Sequence, residues 1–229
     1  MSKRKRFFIA GTDTDAGKTL VACAILEAAK QQNLKTLAIK PVAAGAEDFG
    51  DGLRNDDALN LQQSMTEPLA YASLNPVVFA PPIAPHIAAE QAGKRVTVSQ
   101  LAGYCRGVMM KPVDMLLIEG AGGWRVPLNQ RETLADLAIE LQTPVVLVVG
   151  MKLGCLNHAL LTVEAIQRDG LPLAGWVANQ IDGEMRCFDE NLQTLQGMIP
   201  APCLGVIPHL PQPASPVEAA HFLNLSALL

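Results

Sequence analysis

The sequence predicts an α/β fold, a doubly wound and mainly parallel sheet with helices on both faces. Two observations predict it. Of the 229 residues 49% are apolar but only 4% aromatic, so the core must be built from Ala, Val, Leu and Ile, the composition of strands covered on both faces. Apolar runs of strand length alternate with stretches of helical spacing. That alternation requires crossover connections, which join parallel strands.

Six buried strands are expected, at Phe7–Ala10, Thr36–Pro41, Met115–Glu119, Val145–Val149, Leu173–Ala178 and Cys203–Ile207. Helical patterns fall between most of them, around Leu20–Gln32, Asp57–Met65, Val98–Met110, Leu134–Leu141, His158–Asp169 and Glu190–Met198. The rhythm breaks from Glu67 to Gly93, where Pro68, Pro76, Pro81, Pro82 and Pro85 forbid a long regular element. Irregular walls of a cleft are expected there. Pro208–Pro216 reads as a loop before a last short helix. No repeat or low-complexity linker marks a boundary, so residues 1–229 are expected to form one domain.

Charge and composition exclude several partners. Lys and Arg number 18 against 22 Asp and Glu, a net charge of -4, which offers no cationic field for nucleic acid or an anionic membrane. The basic run Lys3–Arg6 reads as a solvated lead-in to the first strand. The apolar stretch after it is too short for a signal peptide or a membrane span, so a cytoplasmic location is expected. The five cysteines are widely spaced, with no C-x-x-C pair, and are read as reduced thiols.

The chemistry concentrates in the segment Gly11-Thr12-Asp13-Thr14-Asp15-Ala16-Gly17-Lys18-Thr19, which follows the first strand and opens the first helix. In that context backbone N–H groups converge on phosphate oxygens. Gly17 permits close approach of the backbone, Lys18 neutralises the β- and γ-phosphates, and the Thr19 hydroxyl can complete a magnesium shell. The loop is a variant of the P-loop NTPase type, because Gly11 precedes Gly-Lys-Thr by one residue more than the usual spacing. ATP and Mg²⁺ are therefore the expected cofactors. Magnesium takes one or two carboxylates besides such a hydroxyl. Glu119 ends an apolar run and precedes Gly120-Ala121-Gly122-Gly123, which sets an acid at the carboxyl edge of a parallel strand, where such sheets bind ligands. Asp57, at the head of a helix, is a second source, although Asp56 and Asp57 could equally serve the helix end.

Taken in order, Gly11–Thr19, Lys40-Pro41-Val42-Ala43, Leu53-Arg54-Asn55-Asp56-Asp57, Asn75-Pro76, Pro85-His86-Ile87, Glu119–Trp124, Lys152-Leu153-Gly154-Cys155 and Gly175–Asn179 resemble the dethiobiotin synthetase family nearly end to end. The resemblance implies ATP-dependent closure of the ureido ring of dethiobiotin from 7,8-diaminononanoate and CO2, with ADP and phosphate as products. It implies catalytic roles for Lys18, Lys40 and Thr14, the last near a carbamate, and magnesium held by Thr19, Asp57 and Glu119. The nucleotide would lie on Thr12 to Thr19, Glu119, Gly120, Gly122, Asn179 and Pro208, with Asn179 at the adenine edge. The diamine would meet Lys40, Ala44, Gly122, Gly123, Trp124, Leu153 and Asn157 across a homodimer interface. Asp15, Ala44 and Gln180 depart from the family pattern, which carries glutamate, serine and aspartate there.

Lys40 is expected at the end of the second strand, beside the phosphate loop, where it and Lys18 can stabilise a transferring phosphoryl group. None of the four histidines forms a ligand-spaced pair; His86 reads as structural or exposed. Trp176 reads as core, whereas Trp124 could wall the substrate site. Two alternatives use the same phosphate chemistry. A partition or switch ATPase often carries an additional lysine early in its loop, where this chain has Asp13 and Asp15. An amide-forming ligase on another carboxylate usually needs a further domain.

Overall fold

The computed structural model describes residues 4–229; Lys3 of the basic run lies outside them. In chain order the elements are β1 (Lys5–Gly11), α1 (Lys18–Gln31), β2 (Thr36–Ile39), β3 (Val42–Ala44), β4 (Glu47–Asp48), β5 (Leu53–Arg54), α2 (Asp56–Ser64), α3 (Tyr71–Leu74), β6 (Val77–Phe79) and α4 (Pro85–Gln91). There follow α5 (Val98–Met109), β7 (Met115–Gly123), α6 (Leu134–Leu141), β8 (Val145–Met151), α7 (Cys155–Arg168), β9 (Leu173–Gln180), α8 (Phe188–Met198), β10 (Cys203–Ile207) and α9 (Pro216–Ala220).

All six expected strands join one sheet in the order β10-β9-β8-β1-β7-β2, and every pairing in it is parallel. The central strands read as unbroken apolar runs because helices cover both faces. Every residue of β8 is buried, and the residues from Phe7 to Gly11 are buried in β1. Ala-rich α1 is buried on most of its circumference, since small side chains let it lie close against the sheet and its neighbouring helices. Because all six strands run the same way, their carboxyl ends share one edge. That edge carries the phosphate loop after β1, Lys40 after β2, Glu119 in β7, Lys152 after β8, Asn179 in β9 and Pro208 after β10.

The strand order corrects one expectation. Lys40 does not stand on the strand next to that of the phosphate loop, because β7 lies between β1 and β2. Its side chain instead reaches onto β7, at Glu119 and Gly120. The backbone at Lys40 is fixed on both sides: its N–H donates to the Leu74 carbonyl at 2.8 Å, and Asn75 Nδ2 donates to its carbonyl at 2.7 Å. The Asn75-Pro76 motif thus anchors a lysine.

Several boundaries move outward from their expected places. Strand β7 runs on through its glycines to Gly123. Helix α7 starts at Cys155 rather than His158, behind Gly154 in the left-handed region at φ 93°; no polar cap announces that start. The segment 67–93 holds only short pieces, α3, β6 and α4. Pro85 occupies the first turn of α4, a position that tolerates a missing N–H. Strand β6 pairs with β3 as a small parallel sheet, and β4 with β5 as a two-stranded ribbon. Neither pairing was expected, since strands of two and three residues carry no periodicity.

Candidate functional site

The phosphate loop is shaped from behind by other strands. Thr12 Oγ1 accepts the Gly150 N–H at 3.3 Å, and Asn179 Nδ2 donates to the Ala16 carbonyl at 3.0 Å. Asp13 accepts the Thr14 N–H at 2.8 Å through Oδ1, while its Oδ2 faces Lys152 Nζ at 3.4 Å. Burial works against the Asp13 carboxylate, but these contacts outweigh it and hold its pKa below the ordinary value. Gly17 sits at φ 84° as the N-cap of α1, and a Cβ there would come within 2.0 Å of Asn179 Nδ2. Only glycine fits. With no side chain capping α1, its first N–H groups stay open to an anion.

Lys18 is buried, and its Nζ donates to the Asp13 carbonyl at 3.1 Å, across the loop that a phosphate would fill. Burial, followed by repulsion from Lys40, lowers its pKa. Beside it lies an ionic cluster. Lys40 Nζ donates to Glu119 Oε1 at 2.6 Å, to Asp57 Oδ2 at 2.7 Å and to the Gly120 carbonyl at 3.2 Å. Thr19 Oγ1 donates to the same Glu119 Oε1 at 2.8 Å. Burial opposes the Lys40 charge, yet the two carboxylates more than offset it and raise its pKa above lysine's ordinary value.

Two cavities meet at Asp15, Gly17 and Thr19. The larger, about 740 Å³, is lined by Thr14, Lys18, Lys40, Ala44, Asp57 and Gly122 among others. The second, about 450 Å³, is bounded by Asn179, Gln180, Pro208, His209 and the Pro213 turn. A phosphate chain lying on the loop would point its end into the first and its remainder toward the second. Sequence reasoning missed Val126, Pro82 and Ile83 on the first, and Asn60 and His209 on the second. Asn60 was findable, because it lies one helical turn from Asp57 on α2.

Other expected site residues lie elsewhere. Thr12 and Asp13 line neither cavity, and the Ala16 side chain is buried; all three take part in the hydrogen bonds or packing that shape the loop. Gly120 offers its carbonyl to Lys40, and Gly123 pairs with Gly11 in the sheet. Leu153, 93% exposed, and Asn157, also exposed, line neither cavity. Trp124 corrects the reading made of it. Its indole is 4% exposed, meets Phe8 edge-to-face at 6.0 Å and donates to Asp169 Oδ2 at 2.8 Å, outside the cavity lining. The ring is drawn into the core because its N–H has a carboxylate partner there.

The residues around Thr19 suit a hard cation. Two carboxylates and a hydroxyl converge, and Glu119 Oε2 is buried without a partner among the described residues. No group of three or more His, Cys, Asp or Glu side chains forms a cage among those residues.

The family described as AAA domain matches residues 5–217. Over its full length the chain is 57% identical to the ATP-dependent dethiobiotin synthetase of Cellvibrio japonicus, covering 99% of it. The chain belongs to the dethiobiotin synthetase family. Its relatives of the same name include those of Marinobacter nauticus, 52% identical with 97% of each chain covered, and Pseudescherichia vulneris, 47% identical with 98% and 93% covered. Among solved structures the septum site-determining protein MinD of Pyrococcus horikoshii, complexed with Mg-ADP, has a TM-score of 0.56 at 17% identity, with 94% and 93% covered. A ParA family ATPase from Chlorobium tepidum has a TM-score of 0.54 at 14% identity, with 91% and 85% covered. At such identities these two establish the fold that the dethiobiotin synthetase family shares with them, and nothing further.

Proposed function

We propose that the chain closes the ureido ring of dethiobiotin from 7,8-diaminononanoate and CO2 at the expense of ATP. The observation that carries this reading is the meeting of two cavities at one phosphate loop, with Lys18 and Lys40 both lining the larger. One amine of the diamine adds to CO2 and loses a proton to give a carbamate. A carbamate oxygen then takes the γ-phosphoryl group, releasing ADP. The second amine attacks the carbonyl carbon and gives up a proton to the departing phosphate or to water, phosphate leaves with the C–O bond pair, and the ring closes.

Each step develops or moves negative charge, so preorganised cations are the main lever. Lys18 and Lys40 supply them, and the Thr14 hydroxyl lies on the same cavity to orient the carbamate. Thr19, Asp57 and Glu119 would hold magnesium, which neutralises charge on the phosphates. Asn179 and Pro208 favour the second cavity as the seat of the base. The exposed Leu153 and Asn157 suit a homodimer in which each chain finishes its partner's diamine site. No described helix is long and apolar enough to cross a membrane; work in the cytoplasm on small-molecule substrates is part of this proposal.

The test is ADP release with ATP, magnesium and bicarbonate, with and without the diamine, while dethiobiotin is followed by mass spectrometry. Diamine-dependent ADP release matched by dethiobiotin is expected. It should fall by about 10² or more in Lys18→Ala, the scale of losing one preorganised group at the transferring charge. Nucleotide binding with no diamine-dependent product would sink the reading.

A further inference from the structure

We propose that the Lys40 ammonium is a stand-in cation, which occupies the divalent-metal position in the nucleotide-free protein and is displaced into the reaction cavity when the metal arrives. The inference rests on the reading that Thr19, Asp57 and Glu119 hold magnesium. Lys40 Nζ contacts Glu119 Oε1 and Asp57 Oδ2, one oxygen of each carboxylate that would hold the metal. The ammonium and the metal therefore compete.

Charge makes the exchange balanced. The two carboxylates carry two negative charges, of which Lys40 compensates one. A divalent cation compensates both and leaves the ammonium without its partners. Glu119 is 0% exposed, so its charged form is costly without a cation beside it. Lys40 supplies one while the metal is absent. Once released, the lysine can turn into the cavity shared with Lys18 and Thr14, which its side chain already lines, while its backbone stays pinned by Leu74 and Asn75. The metal thus delivers a second positive charge to the place where the carbamate and γ-phosphoryl group meet. Metal loading and readiness for reaction become one event.

The rival arrangement is a metal bound through the unpartnered Glu119 Oε2 while Lys40 keeps Oε1. Two measurements on the folded, nucleotide-free protein test the exchange, the second separating it from the rival, and neither uses diamine or CO2, so their failure is distinct from failure of ring closure. The first is Mn²⁺ affinity by electron paramagnetic resonance. Lys40→Met should bind Mn²⁺ about tenfold tighter or more than the wild type, as expected on removing a competing charge from a partly buried site. Lys40→Arg, which keeps the charge, should stay close to the wild type. The second is acylation of Lys40 by acetic anhydride, read by mass spectrometry in the wild-type protein, which needs no variant to fold. Labelling should rise as Mn²⁺ saturates. Equal affinity in the wild type and a folded Lys40→Met variant, or labelling that stays constant at saturating Mn²⁺, overturns the proposal.

Discussion

Lys40 Nζ lies 2.6 Å from Glu119 Oε1, and both side chains are almost wholly removed from water, at 3% and 0% exposure. Removing one member of such a pair leaves an uncompensated buried charge, whereas removing both need not. Lys40→Met should therefore lower the unfolding free energy by about 3 kcal/mol. Adding Glu119→Gln should recover part of that loss. Urea denaturation of the two single variants and the double variant checks it, and strictly additive losses would contradict the coupling.

Asp57 connects the same cluster to pH. Burial would raise its pKa, but the Lys40 ammonium and the hydrogen bonds from Lys40 and Thr19 outweigh burial and hold it below the ordinary value. Its folded pKa is thus below its unfolded one. The stability it contributes is fully present above about pH 4, the unfolded aspartate range, and is lost as pH falls through the lower folded value. The wild type should lead Asp57→Asn in urea midpoint at neutral pH, and the gap should narrow on the acid side.

Trp124 tests the division between core and cavity. Its N–H shares Asp169 with Arg125, whose guanidinium donates to Asp169 Oδ1 at 2.7 Å. Trp124→Phe keeps the ring against Phe8 and loses only the donor, so stability should fall by about 1 kcal/mol. The KM for the diamine should change by less than about twofold, the mark of a side chain that makes no substrate contact. A large rise in KM with unchanged stability would return Trp124 to the substrate site.

The thiols should report the core directly. Burial pushes Cys23 and Cys105 up to about 12, so they hold almost no thiolate at neutral pH. Cys155 is also buried, Cys187 is exposed and Cys203 is intermediate. A disulfide reagent at mildly alkaline pH should modify Cys187 first in the native protein. Cys23, Cys105 and Cys155 should follow only on unfolding, and fast reaction of any of them would contradict the packing of α1, α5 or α7.

Much of this was legible in the sequence because the signals were local or strongly repeated. Six apolar runs marked six strands, and the glycine-lysine-threonine turn marked the anion site without reference to any distant residue. What stayed hidden depends on strand order. Lys40 was readable as a strand-end lysine, but its engagement with Glu119 follows from β7 inserting between β1 and β2, which no run of residues spells out. The starts of α1 and α7 were misjudged for a different reason. Both are opened by glycines in the left-handed region, Gly17 and Gly154, and a backbone conformation leaves no polar capping residue to read. Trp124 was misplaced because its neighbours in sequence are glycines of the cavity wall, while its partner Asp169 lies 45 residues further along.

The phosphate loop lies near the start of the chain, but the amide that fixes its Ala16 carbonyl belongs to Asn179, 163 residues later. During synthesis the loop therefore leaves the ribosome long before the strand that shapes it. Until β9 is laid against β8, the nascent chain carries an anion-binding motif that lacks its backing, and its closure waits on contacts of high sequence separation. Competence for nucleotide then comes late in the life of the growing chain, almost together with completion of the sheet.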